Sequence, residues 1–162
     1  MTYLIMITIV LLDQISKYLA VKNIVSNGNY KFFNGLLELK YVKNYGAAFG
    51  ILQEKKWIFI IITIIVICVF MIYLIRYSSE IHLLNKIALS MLIGGAIGNF
   101  IDRIRLGYVV DFIRVDIIKS INFPVFNIAD IFIVIGTILL MIITIFPQKF
   151  FSNGESIWVI RR

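Results

Sequence analysis

LLNKIALSMLIGGAIGNFIDR, residues 83–103, joins an apolar run of membrane-crossing length to a row of small residues and a polar cluster at one end. Ser90, Gly94, Gly98 and Asp102 recur every four residues and share one slowly drifting face of a helix, with Gly95, Asn99 and Arg103 on the adjoining row. Gly94 and Gly98 form a GxxxG pair, which lets a second helix approach closely inside a membrane. Packing accounts for the glycines. It leaves Asn99, Asp102 and Arg103 at one end of the helix in need of another reason.

The rest of the chain agrees with a membrane setting. Hydrophobic residues make up 60% of the 162, charged ones only 15%, and the mean hydropathy is +0.94, so too few polar side chains exist to cover a water-soluble core. Two further runs are plain: Trp57 to Ile75 carries no charge, and Ile128 to Phe146 carries only Asp130. Thr2 to about Val21 is apolar apart from Asp13, Lys17 and their polar neighbours. The opening MTYLIMITIV has no basic leader and no small-residue cleavage site follows it, so it is expected to stay as an anchor.

Between the first two helices Leu37, Leu39 and Tyr41 alternate with Glu38, Lys40 and Val42, a period-2 pattern that predicts a strand. Asn34-Gly35 and YGAAFG at 45–50 are turn signals, and LGYVVDFIRVDI at 106–117 is rich enough in β-branched and aromatic residues to extend the same sheet. The expected fold class is therefore an all-α membrane protein with a small β element. Residues 1–162 form one integral membrane domain, with helices at about 2–21, 57–75, 83–101 and 128–146 and strand-rich loops at 22–56 and 104–126. An even helix count puts both termini on one side. The strand-rich loops hold more Lys and Arg than the opposite side, and a positive-inside count alone would put them in the cytoplasm.

Composition also narrows the chemistry. One cysteine, Cys68, excludes a disulfide framework, and one histidine, His82, excludes a multi-histidine zinc site. The net charge of +7 comes from 16 Lys and Arg scattered in ones and twos, not a basic stripe, so nucleic acid is not an expected partner. Carboxylates remain. Asp111 in YVVDF is flanked by apolar residues that disfavour its charge, and FPVFNIAD places Asn127 as a helix N-cap with Asp130 in the first turn. Capping by itself explains Asn127 and Asp130. Yet Asp111 and Asp130 both border the polar end of the third helix, and two close carboxylates share a proton, which suits one to act as base and the other as acid in peptide hydrolysis. Ser90 and Ser16 lack the surroundings of a serine nucleophile. Asp13 and Lys17, spaced i, i+4, read as an ion pair facing the bundle. Glu38 and Asp116 read as solvated loop acids.

DQISK at 13–17, NYGAAFG at 44–50, GGAIGNFIDR at 94–103, GYVVDF at 107–112 and FNIAD at 126–130 resemble, in this order, the motifs of lipoprotein signal peptidase, also called signal peptidase II. The resemblance implies a bacterial inner-membrane aspartic endopeptidase that cleaves diacylglyceryl-modified prolipoproteins just before the lipidated cysteine. It implies Asp111 and Asp130 as catalytic residues, and Asp13, Lys17, Asn44, Gly46, Gly95, Asn99, Arg103, Asn127 and Ala129 as binding or supporting positions. It further implies a monomer among membrane lipids with no metal or cofactor. The termini are then cytoplasmic and the sheet is an extracytoplasmic cradle holding the active site at the outer face, which reverses the charge count. Phe49 is expected near a partial lid, Ile131 departs from the family's usual small polar residue, and SIWVIRR at 156–162 matches no motif. The rival readings are a small proton- or cation-coupled carrier using Asp13, Lys17, Asp102, Asp111 and Asp130, and a noncatalytic assembly factor.

Overall fold

The structure is a computed structural model that describes residues 1–46, 56–116 and 123–146. Phe49, most of the YGAAFG turn, and the tail after Phe146 lie outside the described residues.

Among the described residues four helices are long and apolar enough to cross a membrane: α1 (Thr2–Asn27), α2 (Lys56–Arg76), α3 (Leu83–Arg105) and α4 (Ile128–Ile145). Three strands among the described residues, β1 (Tyr30–Phe32), β2 (Leu37–Asn44) and β3 (Val109–Val115), form an antiparallel sheet in the order β1-β2-β3. α1 runs past the expected position 21 because Lys22 and Asn23 are compatible with a helix, and it stops at Gly28, whose φ of 84° breaks the helix while its N–H returns to Ile24 O. α3 likewise continues through its polar cluster to Arg105, and Gly107 (φ 84°) turns the chain into β3.

α3 is the central helix and packs against each of the others. Its two rows of small residues receive different partners. A Cβ on Gly94 or Gly98 would press on Ile9 or Asp13 of α1, while one on Gly95 would lie 2.6 Å from Ala129 O and 2.7 Å from Ile133 Cγ1 of α4. The GxxxG row therefore seats α1 and the adjoining row seats α4, and a methyl at Gly95 or Gly98 would force its neighbour to shift, one at Gly94 a smaller give. Outward faces of α1, α2 and α4 are covered with exposed Leu, Ile and Val, the surface that suits lipid.

The sheet lies at the α3 C-terminal end, with Val110 and Phe112 of β3 packed on Ala20 and Ile24 of α1. β2 and β3 pair from Leu37–Val115 to Asn44–Val109, with a bulge between Leu39 and Val42. Past that irregularity Val42 sits opposite Asp111, and Asn44 reaches the same aspartate. Glu38 is not the solvated acid expected: it is buried, takes a hydrogen bond from Asn29 at 3.2 Å and faces its cross-strand partner Arg114 at 3.8 Å. Asp116 bonds the same arginine at 3.0 Å. Position in a loop did not imply solvation because the sheet folds that loop back on itself.

Candidate active site

α4 begins with a reciprocal cap. Asn127 Oδ1 accepts the Asp130 N–H at 3.0 Å, and Asp130 Oδ2 accepts the Asn127 N–H at 3.1 Å. The capping reading of FNIAD is thus correct, but it leaves one polar atom of each side chain, Asn127 Nδ2 and Asp130 Oδ1, for other partners. Asn127 Nδ2 points the other way and donates to Asp111 Oδ1 at 2.6 Å, to Asn99 Oδ1 at 3.1 Å and to Val110 O at 3.3 Å. Asp130 Oδ1 accepts from Asn99 Nδ2 at 2.7 Å, and Asp111 Oδ2 accepts from Asn44 Nδ2 at 2.8 Å. Gly46 N–H closes onto Asn44 Oδ1 at 3.0 Å, which turns the Asn44 amide so that its donor faces Asp111. Asn127 and Asn99 bridge the two acids, and Asn44 donates to Asp111 alone.

Asp111 is 2% exposed. Burial pushes its carboxyl up to about 7, with the nearby Asp130 charge acting in the same direction against hydrogen bonds from Asn44 and Asn127. Near neutral pH this carboxyl can hold or release a proton. Both acids line one cavity of about 820 Å³, together with Asn44, Gly46, Asn99 and Arg103. Below that polar end the cavity walls are apolar: Ile62, Val66 and Phe70 from α2, Leu92 and Ala96 from α3, Ile131, Ile133 and Val134 from α4. Ile131 therefore contributes wall, and Asp130 has both oxygens bonded without help from that position.

Asp13 and Lys17 face the bundle as expected, but not as an isolated pair. Lys17 Nζ lies 2.8 Å from Asp13 Oδ2, 2.9 Å from Asp102 Oδ2 and 2.9 Å from Asn99 Oδ1. Asp13 Oδ1 also accepts the Ala129 N–H at 3.0 Å, an unpaired donor of the first α4 turn. The small positions Gly95 and Ala129 let α3 and α4 meet closely enough for Asn99–Asp130.

Two contributors lie outside the positions that the resemblance implied. Asp102 Oδ2 accepts the Val110 N–H at 3.0 Å, fixing β3 one residue before Asp111, and Gln14 Nε2 bonds Asp13, Asp102 and Gly98 O at 3.0–3.2 Å. The only signals were the place of Asp102 on the small-residue row and of Gln14 beside Asp13.

The signal peptidase II family profile, "Signal peptidase (SPase) II", matches residues 5–146. The chain is 48% identical to the lipoprotein signal peptidase of Streptococcus agalactiae serotype Ia over 152 residues, 94% of each chain. It is 42% identical to that of Enterococcus faecalis over 154 residues, 95% of this chain and 93% of the relative. A solved bacterial membrane enzyme superposes with a TM-score of 0.77 at 36% identity, covering 96% of this chain and 92% of that one. Four membrane-length helices and these relatives define an integral membrane peptidase. More particularly, the chain belongs to the signal peptidase II family.

Proposed function

We propose that the protein cleaves the signal peptide from diacylglyceryl-modified prolipoproteins, just before the lipidated cysteine, using Asp111 and Asp130 as an aspartic acid/base pair. The observation that carries this reading is the pair itself: two acids from different elements, bridged by Asn99 and Asn127, at the polar end of an otherwise apolar cavity. Such a cavity suits an apolar signal helix lying in the membrane, with the scissile bond held at the interface by the lipid on the neighbouring cysteine.

In this reading Asp130, its oxygens supplied with donors by Asn99 and the Asn127 backbone, is the ionised base, and Asp111 holds the shared proton. Asp130 removes a proton from water as the water oxygen bonds to the scissile carbonyl carbon. Asp111 gives its proton to the carbonyl oxygen. Collapse of the tetrahedral species returns that proton to Asp111, breaks the C–N bond and passes the Asp130 proton to the leaving nitrogen, which becomes the amino group of the lipidated cysteine. Both carboxyls end as they began. The expected orientation places both termini in the cytoplasm and the sheet with its acid pair at the outer face, and the protein acts as a monomer among membrane lipids.

The test is incubation of detergent-purified protein with modified and unmodified forms of one prolipoprotein. Cleavage of the modified form alone supports the reading, and cleavage of neither overturns it.

A further inference from the structure

Arg103 lines the cavity at its polar end and lies in the electrostatic field of Asp130, Asp111 and Asp102. A guanidinium among three carboxylates has every electrostatic reason to close a bidentate pair with one of them. Among the described residues it makes no ion pair. Its Cζ instead sits 5.2 Å from the ring centroid of Phe59 on α2. The acids nearby are already supplied with donors by Asn44, Asn99, Asn127 and backbone N–H groups, so an added pair gains less than it would against bare carboxylates. Under those terms a ring face can tip the choice between two side-chain positions by a factor of roughly 3 to 30.

We propose that Phe59 is a positioning residue: its ring holds the Arg103 guanidinium on the α2 side of the cavity, off Asp111 and Asp130, so that the acid pair is not locked into a salt bridge. This rests on the acid pair being the reacting group. An aliphatic side chain at 59 fills the same seam but offers no negative face to the cation, and Arg103 then moves onto the carboxylates. An added cation favours their ionised forms, and the pair loses its shared proton at a lower pH. The charged groups that set this balance are Asp13 and Lys17 from α1, Asp102 and Arg103 from α3, Asp111 from β3 and Asp130 from α4; the α2 residues lining the cavity carry none.

The experiment measures kcat and KM on a lipidated prolipoprotein between pH 5 and 9 for the parent and for Phe59→Leu, Phe59→Met, Phe59→Tyr and Phe59→Trp, with detergent melts for each. Leu and Met are expected to lower kcat roughly 3- to 30-fold at pH 7, and to move the pH optimum about one unit toward acid. Tyr and Trp, which keep a ring face, retain the parent optimum. Adding Arg103→Gln to Phe59→Leu abolishes the acid shift relative to Arg103→Gln alone. Two aliphatic variants guard against one failing to fold. An unshifted optimum in the folded Leu or Met variant, or a Trp variant shifted as far as Leu, overturns the positioning role. Asp111→Asn and Asp130→Asn run in parallel: if they still cleave, the acid-pair reading has failed, whereas if they are inactive and the aliphatic variants keep the parent profile, only the role of Phe59 has.

Discussion

Lys17 Nζ lies 2.9 Å from Asn99 Oδ1, so a cation on α1 decides which way an amide on α3 faces. A cation can only meet the amide oxygen, and this leaves Asn99 Nδ2 turned toward Asp130, 2.7 Å away. The buried ion cluster thereby orients the acid pair without touching it.

That arrangement makes the cluster asymmetric. Asp13→Asn leaves Lys17 paired with Asp102, whereas Lys17→Met strands Asp13 and Asp102 together, both buried. The lysine variant is expected to lose roughly 3–5 kcal/mol and the aspartate variant clearly less. Restoring the melting temperature of Lys17→Met should need Asp13→Asn and Asp102→Asn together. Detergent melts of the series check this, and equal losses for the two single variants would count against the hub.

Asp111→Asn and Asp130→Asn are each expected to abolish cleavage while leaving the protein folded and able to bind substrate. Asparagine keeps the size and can still cap α4 but cannot exchange the proton. If Asp130 were only a cap, loss of its charge would cost about 0.3–1 kcal/mol and leave turnover nearly intact. The double variant should be little worse than either single one, as for groups acting as a unit. A gel-shift assay on lipidated prolipoprotein measures the outcome.

The raised Asp111 value also predicts how stability follows pH. Between its ordinary 3.8 and about 7 the folded chain holds a proton that the unfolded chain has lost. This carboxyl's contribution to stability therefore falls as pH rises through that window and is flat above it. Asp111→Asn removes the dependence, so it should melt above the parent at pH 8, with the gap narrowing toward pH 4. Parallel melting curves across that range would contradict the assignment.

Gly95→Ala places a Cβ 2.6 Å from Ala129 O and should cost about 1–3 kcal/mol by forcing α3 and α4 apart. The same displacement lengthens Asn99–Asp130, so activity should fall even well below the melting temperature. Activity equal to the parent in the folded variant would show that the helices accommodate the methyl without moving the acid.

Orientation has a direct assay. With Cys68 replaced by serine, cysteines at Lys31 and at Glu80, exposed at opposite ends of the bundle, are expected to differ in intact cells. Lys31→Cys should react with a membrane-impermeant thiol reagent and Glu80→Cys only after lysis. The reverse pattern would restore the orientation suggested by the positive-charge count.

Hydropathy located all four helices because lipid demands long uninterrupted apolar runs, and that demand is written residue by residue. Strand alternation and the β-branched run located β2 and β3 for a similar local reason, as did the Asn127 cap. Helix ends were less legible, since α1 and α3 continue past the apolar run until a glycine with positive φ stops or turns the chain. What the sequence could not contain is who meets whom. Asp13 and Lys17 read as a pair because four residues separate them, yet Asp102 joins them only because Gly98 lets α1 lie against α3. Asn127 read as a cap, and its other face became a bridge between acids only once β3 was fixed to α3 by Asp102 at Val110 and to the approach of α4 by the pairing of Ile113 with Phe126. Arg103 had acids nearby in sequence and in space, and its place over Phe59 depended on how α2 packs on α3. Local periodicity fixes elements because backbone bonding and burial act within a few turns; long-range hydrogen bonds and charges are set by packing, which no single segment encodes.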